Sequence, residues 1–425
     1  MSKRKQTWKA AAVALALPFC ANAATYYFTG AANTEKTFNA SGAWTNAQGT
    51  AITVNSAATT YQNDDFVVGP EQIVTTSSSR DNNGREFYCK SLILEGSENG
   101  RAKFIFRGSA FARVNFVLGP YSEMFLDGRN PAGNACGVQY ATYFVRGDAV
   151  GTATARISAS TVMTHEEGTR VIGPISGAGS LLFTYGGTSA VKPITLKSSS
   201  AGVATNENFT GTMKIQGVSV SKPLPLQLKT YTLSGLGGDP ATFQQKGLEL
   251  EYAKIVAYSN CTVTANRGVY VSKDSTIEVV AGYTFTVSGA TAFATPSTKL
   301  AKTGEGALTL GGEVAAGTFD VAAGTLNIAE ETTLVFHFTS RSSIPVLKIS
   351  GEGTVNIPSS VKVKVTADEG IKPSSSQTHT LTSTFDFTGK TVNLVDKPDW
   401  VRSVDIVDGN LVLTVKSKGL MILVK

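Results

Sequence analysis

The strongest constraint in this chain is a short pattern that recurs at three distant places. An apolar residue is followed within a few positions by Gly-x-Gly, and then by apolar residues at alternate positions. The pattern occurs in Ile175 to Phe183, around Gly177 and Gly179. It recurs in Leu300 to Leu310, around Gly304 and Gly306, and in Ile349 to Ile357, around Gly351 and Gly353. A smaller tandem echo runs Ala316-Gly317-Thr318-Phe319-Asp320-Val321, then Ala323-Gly324-Thr325-Leu326-Asn327-Ile328. Physically, a short strand enters a tight turn, and the glycines supply backbone conformations at positive φ. The chain then resumes with alternate side chains on one side. Such a unit cannot bury its own inner face, so neighbouring units must stack on it.

The rest of the chain carries the same period. Val361 to Val365, Tyr283 to Val287, and Leu411 to Val415 alternate β-branched or aromatic residues with Thr and Lys. Alternation of this kind is what a half-buried strand needs. Turn clusters of Gly, Asn, Asp and Ser break it roughly every 8–12 residues, an all-β spacing. No amphipathic helix of three turns is evident after residue 23. Charged residues are 16% of the chain, against about 25% in an average domain, and hydrophobic residues are 42%. A sizeable core is therefore available, and bulk disorder is excluded. The expectation is an all-β fold, a parallel β-helix of stacked coils; a large β-sandwich could use the same strands.

The amino terminus reads as a secretory signal peptide over residues 1–23. Lys3, Arg4, Lys5 and Lys9 form a basic region, Ala10 to Leu17 is apolar, and Ala21-Asn22-Ala23 fits a cleavage site. The apolar run is too short to span a bilayer. Phe19 before Cys20 argues against lipidation. Removing this leader takes away four basic residues and brings the charge, +6 for the whole chain, near balance. The remaining basic residues are scattered, which speaks against a nucleic-acid partner. Cys89, Cys136 and Cys261 remain, widely spaced and with no C-x-x-C. They allow at most one disulfide or serve as small buried residues, and a zinc site is not expected.

Chemistry is sparse. Each G-x-G leads into another strand rather than a helix, so a dinucleotide site is not expected and the glycines read as turn residues. His337 sits on a strand opposite Phe336 and Phe338, so it is expected on the strand surface. His165 and His379 have no motif around them, and no G-x-S-x-G is present. Asp64-Asp65, Glu166-Glu167 and Glu330-Glu331 are adjacent acids that read as turn or solvated groups rather than as a glycosidase pair. Trp44, Tyr121, Tyr140, Tyr143 and Tyr231 could form a sugar platform, though Trp44 reads better as a core anchor at the solenoid's open end. No catalytic residue, metal or cofactor is expected.

These residues resemble the autotransporter-associated β-strand repeat of large exported bacterial proteins. Leu300-Ala301-Lys302-Thr303-Gly304-Glu305-Gly306-Ala307-Leu308-Thr309-Leu310 carries the resemblance most closely, and Ala323 to Ile328 is similar to its closing strand. Ile175 to Phe183 with Phe209-Thr210-Gly211-Thr212-Met213-Lys214-Ile215 resembles a diverged copy. The start of the mature chain, with Ser41 to Thr45, Asn63 to Val68 and Lys90 to Gly96, resembles the N-terminal segment of such proteins. The resemblance implies a right-handed parallel β-helix, secreted or carried on the outer cell surface. The residues after Ser340 are too few for a translocator barrel, and the chain ends Leu420 to Lys425 without a terminal aromatic.

The organisation expected is a leader (1–23), an N-terminal β cap (24–90), a β-helix repeat region (91–340) and a C-terminal β module that continues or caps the solenoid (341–425). The function expected is a non-catalytic structural or adhesive scaffold, with glycans or other copies of the chain as partners. The alternative is a carbohydrate-binding module or a polysaccharide-degrading β-helix enzyme.

Overall fold

A computed structural model describes residues 23–54, 61, 63–76, 87–107, 112–127, 136–138, 141–159, 169–185, 192–197, 206–229, 235–373 and 377–416. The leader expected over 1–23 falls outside them except for its last residue. So do His165, Glu166, Glu167, Tyr140 and Tyr231.

The chain is a parallel β-helix. Each coil lays down one short strand on each of up to three faces and returns one rung higher. One coil illustrates the order: Ser275–Val279, then Thr284–Val287, then Thr291–Phe293, and back to Lys299–Thr303, which pairs in parallel with Ser275–Val279. Strands are short because each face is only a few residues wide before a glycine or polar turn bends the chain.

Three faces follow from this winding. Face II is one 14-stranded sheet, from Glu35–Thr37 to Thr391–Asp396, and every neighbouring pair in it is parallel. At the usual ~4.8 Å between strands, it is about 60 Å long. Face III is a 10-stranded sheet from Cys136–Val138 to Thr382–Ser383. Face I runs from Thr25–Phe28 to Ile175–Gly177 in one sheet, breaks, and continues at the same place in the coil order as a five-stranded sheet from Cys261–Val263 to Thr354–Asn356.

The core is a set of ladders inside these faces. On face II, Val74, Phe104, Met124, Ile157, Phe183, Ile215, Leu250 and Val271 stack rung on rung, all buried. Each such side chain contributes roughly 1.5–3 kcal/mol on leaving water, and only because another coil covers it. The alternation read from the sequence is the reason: Val361, Val363 and Val365 point inward while Lys362 and Lys364 point out.

Both ends are covered by antiparallel structure. At the N-terminal end, Trp44–Thr45 pairs antiparallel with Thr25–Phe28 and with Ala51–Ile52. At the other end, Thr378–Thr380, Val401–Val407 and Asn410–Val415 form a three-stranded antiparallel sheet that buries Val401, Leu411 and Leu413. Parallel stacking itself begins at Thr25–Phe28, which pairs with Asp65–Val68. The strand Phe87–Leu94 runs across position 90, and Thr333–Phe338 pairs in parallel with Ser360–Ala367 across position 340.

Candidate functional site

The repeat-turn glycines have a structural task that geometry makes plain. Gly304 has φ +74° and lies against the coil below, where a Cβ would meet Val279 O at 2.3 Å. Gly306 has no positive φ, yet a Cβ there would meet Val280 O at 2.4 Å. The same division holds at Gly351 and Gly353 over Val321, and at Gly177 and Gly179 over Val145 and Arg146. The expectation that both glycines supply positive φ is thus corrected: the first does so, and the second provides closeness between coils. The copies also differ in place. Gly304–Gly306 and Gly351–Gly353 turn the chain from face III to face I, whereas Gly177–Gly179 turn it from face I to face II.

Two buried cations donate to backbone carbonyls of the coils, Lys302 at the Gly304 turn and Arg267 away from the repeat glycines. Lys302 occupies an inward position, 1% exposed, between Ile277 and Val321. Its Nζ donates to the carbonyls of Thr303 (2.8 Å), Gly304 (2.7 Å) and Ala323 (3.1 Å). Burial lowers its pKa from the ordinary lysine value, with Glu305 and Glu278 opposing. Arg267 sits where face I is interrupted. Its guanidinium donates to Gly211 O (2.6 Å), Gly247 O (2.9 Å), Phe209 O (2.9 Å) and Gly238 O (3.3 Å), and stands 5.5 Å over the Phe209 ring. Burial pushes its pKa down to about 10, against a smaller upward pull from Asp239. Carbonyls that strand pairing does not reach are satisfied instead by these side chains.

The remaining candidates disperse. Trp44 is the anchor of the N-terminal end: fully buried, it donates from Nε1 to Phe38 O (2.8 Å) and packs on Phe28, Phe38 and Phe66. Tyr143 is buried and stacked on Phe116, while Tyr121 packs near Arg101 at a coil corner. These three do not meet, so no sugar platform forms from them. Asp64 caps the Ala24 amide (2.8 Å), and Asp65 accepts from Ser91 and pairs with Lys90 (3.2 Å), both holding neighbouring coils together. Glu330 and Glu331 are exposed. Cys89 and Cys261 are buried free thiols whose pKa burial raises, Cys261 to about 12. Among the described residues no group of His, Cys, Asp and Glu is placed to hold a metal ion.

Face II carries a concave surface among the described residues. A groove of about 770 Å³ has a floor of Ala292, Ala315 and Val335, with Phe243 and Tyr270 at one end and His337 at the other. The floor is low because small residues fall on successive rungs: Tyr270 pairs with Ala292, and Ala315 with Val335. His337 lies on the strand surface, as its position opposite Phe336 and Phe338 leads one to expect. Its Nδ1 meets Thr366 Oγ1 (2.9 Å) and its Nε2 meets Asp368 Oδ1 (3.1 Å). Lys364 bridges to Glu313 (3.0 Å) at the same end.

A second groove of about 670 Å³ adjoins it along the axis, lined by Arg101, Arg156, Lys214, Lys246 and Glu249 with the hydroxyls of Thr152 and Thr212 among its walls. The two meet where Glu249 pairs with Tyr270, and Lys246 Nζ stands 4.3 Å over the Tyr270 ring. Lys214 is taken by Glu249 (2.9 Å) and Glu251 (2.6 Å). Arg101 donates to Ser122 O (3.1 Å) and Thr154 O (2.9 Å); burial lowers its pKa first, and the nearby Arg156 charge lowers it further. Sequence reasoning missed this surface. Phe243, Tyr270 and Arg156 are far apart in the chain, and only the inter-coil register aligns them.

No helix among the described residues is long and apolar enough to cross a membrane. No family model, curated protein or solved structure matches this chain.

Proposed function

We propose that this protein is an exported, non-catalytic scaffold of the autotransporter-associated β-strand repeat type, secreted or held at the outer cell surface, with face II as its interaction surface. The observation that carries the reading is the unbroken 14-stranded face between two covered ends. Antiparallel strands beside the first and last coils interrupt the parallel winding there and disfavour coil-on-coil addition of further copies. Contacts with glycans or other copies then fall to the long sides. Export is supported by the basic, apolar and Ala-x-Ala run over residues 1–23. The side-chain chemistry points the same way: the most elaborate polar arrangements, around Lys302 and Arg267, are spent on backbone carbonyls inside the rod.

The test has two arms. Fractionation of producing cells should find the chain shortened at its amino terminus and outside the cytoplasm; an uncleaved cytoplasmic chain overturns the export reading. Incubation with a panel of polysaccharides should release no reducing ends. Sustained turnover of any of them replaces the scaffold with a polysaccharide-degrading β-helix enzyme.

A further inference from the structure

The geometry of face II points to one class of ligand: we propose that it binds an anionic polysaccharide. Carboxylate or sulfate groups would sit on Arg101, Arg156 and Lys246, and the sugar chain would run along the axis over Tyr270 and the alanine floor. This rests on the reading of face II as the interaction surface and adds its partner.

The first ground is an excess of positive over negative charge. Arg156 Nε is buried with no hydrogen-bond partner. The acid on the adjacent rung, Glu123, is occupied by Ser158 (2.5 Å) and Lys103 (3.7 Å). Arg101 donates from Nη1 to two carbonyls, which carry no net charge, and Glu123 is the acid that acts on it. Lys246 rests on an aromatic ring rather than on a carboxylate, and Glu249, the acid in this groove's wall, is held by Lys214. Arg101, Arg156 and Lys246 therefore face one groove in which Glu123, the acid beside the two arginines, is shared with Lys103; positive charge is in excess there, and an arginine fork suits a carboxylate or sulfate oxygen pair.

The second ground is shape and continuity. The outward row Arg156, Leu182, Lys214, Glu249, Tyr270, Ala292 is a ladder of paired residues, and Ala315, Val335, Lys364 continue it across the neighbouring pair Thr291 and Val314. At ~4.8 Å a rung it spans about 38 Å, the reach of a polymer rather than of a single sugar. Phe243, 52% exposed at the junction, offers an apolar face to a pyranose ring, beside the Tyr270 ring that Lys246 covers. A nucleic acid presents a phosphate at every step of its backbone. Single strands are held by aromatic side chains under successive bases, and this row follows Tyr270 with Ala292, Ala315 and Val335 instead.

The test is affinity electrophoresis of the full chain in native gels containing polygalacturonate, dextran sulfate, single-stranded DNA or neutral dextran. Retardation by either acidic polymer and not by dextran is expected, and which one acts separates a carboxylate from a sulfate source. The variant pair Arg156→Gln with Lys246→Gln should weaken binding about tenfold, the order expected for lost charge-assisted hydrogen bonds. A pair on face III, Lys254→Gln with Lys348→Gln, removes the same charge and should leave binding unchanged; far-ultraviolet circular dichroism checks that both pairs fold. Absence of retardation by both acidic polymers overturns the proposal. So does equal retardation by single-stranded DNA, or an equal loss in the face III pair. None of these outcomes touches the scaffold reading, which falls only on the fractionation and turnover results.

Discussion

Lys302 holds the carbonyl of Gly304 at 2.7 Å from inside the solenoid, two residues ahead of it in the chain. The same ammonium reaches Ala323 O on the next coil, so one side chain closes its own turn and fastens the following one. A Cβ at Gly324 would stand 2.7 Å from that Nζ and 2.3 Å from Gly304 O, so the three residues form one tight joint.

Replacing Lys302 by Met keeps the apolar stem and removes the donors. Three carbonyls then lose a charge-assisted partner, at a cost of about 1–3 kcal/mol. Hydrogen exchange should speed up in Ala307–Leu310 and Thr325–Ile328, which flank the joint, and stay unchanged in the first coils. Unaltered exchange near residue 307 would show that the turn does not need the lysine.

Gly304→Ala and Gly282→Ala separate conformation from closeness. Both glycines have positive φ, but nothing lies within 4 Å of a Cβ at Gly282. Gly282→Ala should cost about 1–2 kcal/mol, the left-handed penalty alone. Gly304→Ala adds a clash with the Val279 carbonyl and should cost clearly more, read as the difference in urea midpoint between the two variants.

Trp44→Ala should open the N-terminal end by itself. The indole is fully buried against Phe28, Phe38 and Phe66, so about 3–5 kcal/mol is lost locally. Stability in a stack passes between nearest neighbours. Limited proteolysis should therefore cut between residues 24 and 76 while leaving a resistant fragment containing the later coils.

Cys261 gives an alkaline signature. Its folded pKa, raised by burial to about 12, stands above the ordinary 9.0. Above that ordinary value the unfolded thiol releases its proton while the folded one keeps it, so stability falls as pH rises. The slope approaches ~1.4 kcal/mol per pH unit between the two values. Cys261→Ala should lose this part of the slope between pH 9 and 10.5 in denaturant titrations; an identical slope in both chains would refute the assignment.

The alternation at Val361 to Val365 was legible because a strand with one dry side must place every second residue inward, whatever it pairs with. The same signal at Leu411 to Val415 was equally clear and led less far. That strand is antiparallel and belongs to the end cover, and period two is blind to the direction of the neighbour. The lysine of the repeat was visible as a letter, but its inward aim depends on carbonyls from two coils. Arg267 carried no signal, because the break in face I that it fills exists only once the coils are stacked.

By itself, then, the order of residues dictated thin strands, tight glycine corners and the need for one rung to lie on another, since these depend on local sterics and on side-chain period. Which rungs lie together was settled in three dimensions, by coil lengths that vary from turn to turn. That register, and not any local motif, sets Arg156, Lys246, Tyr270 and Ala292 along one groove, because alignment across coils is a property of the whole stack.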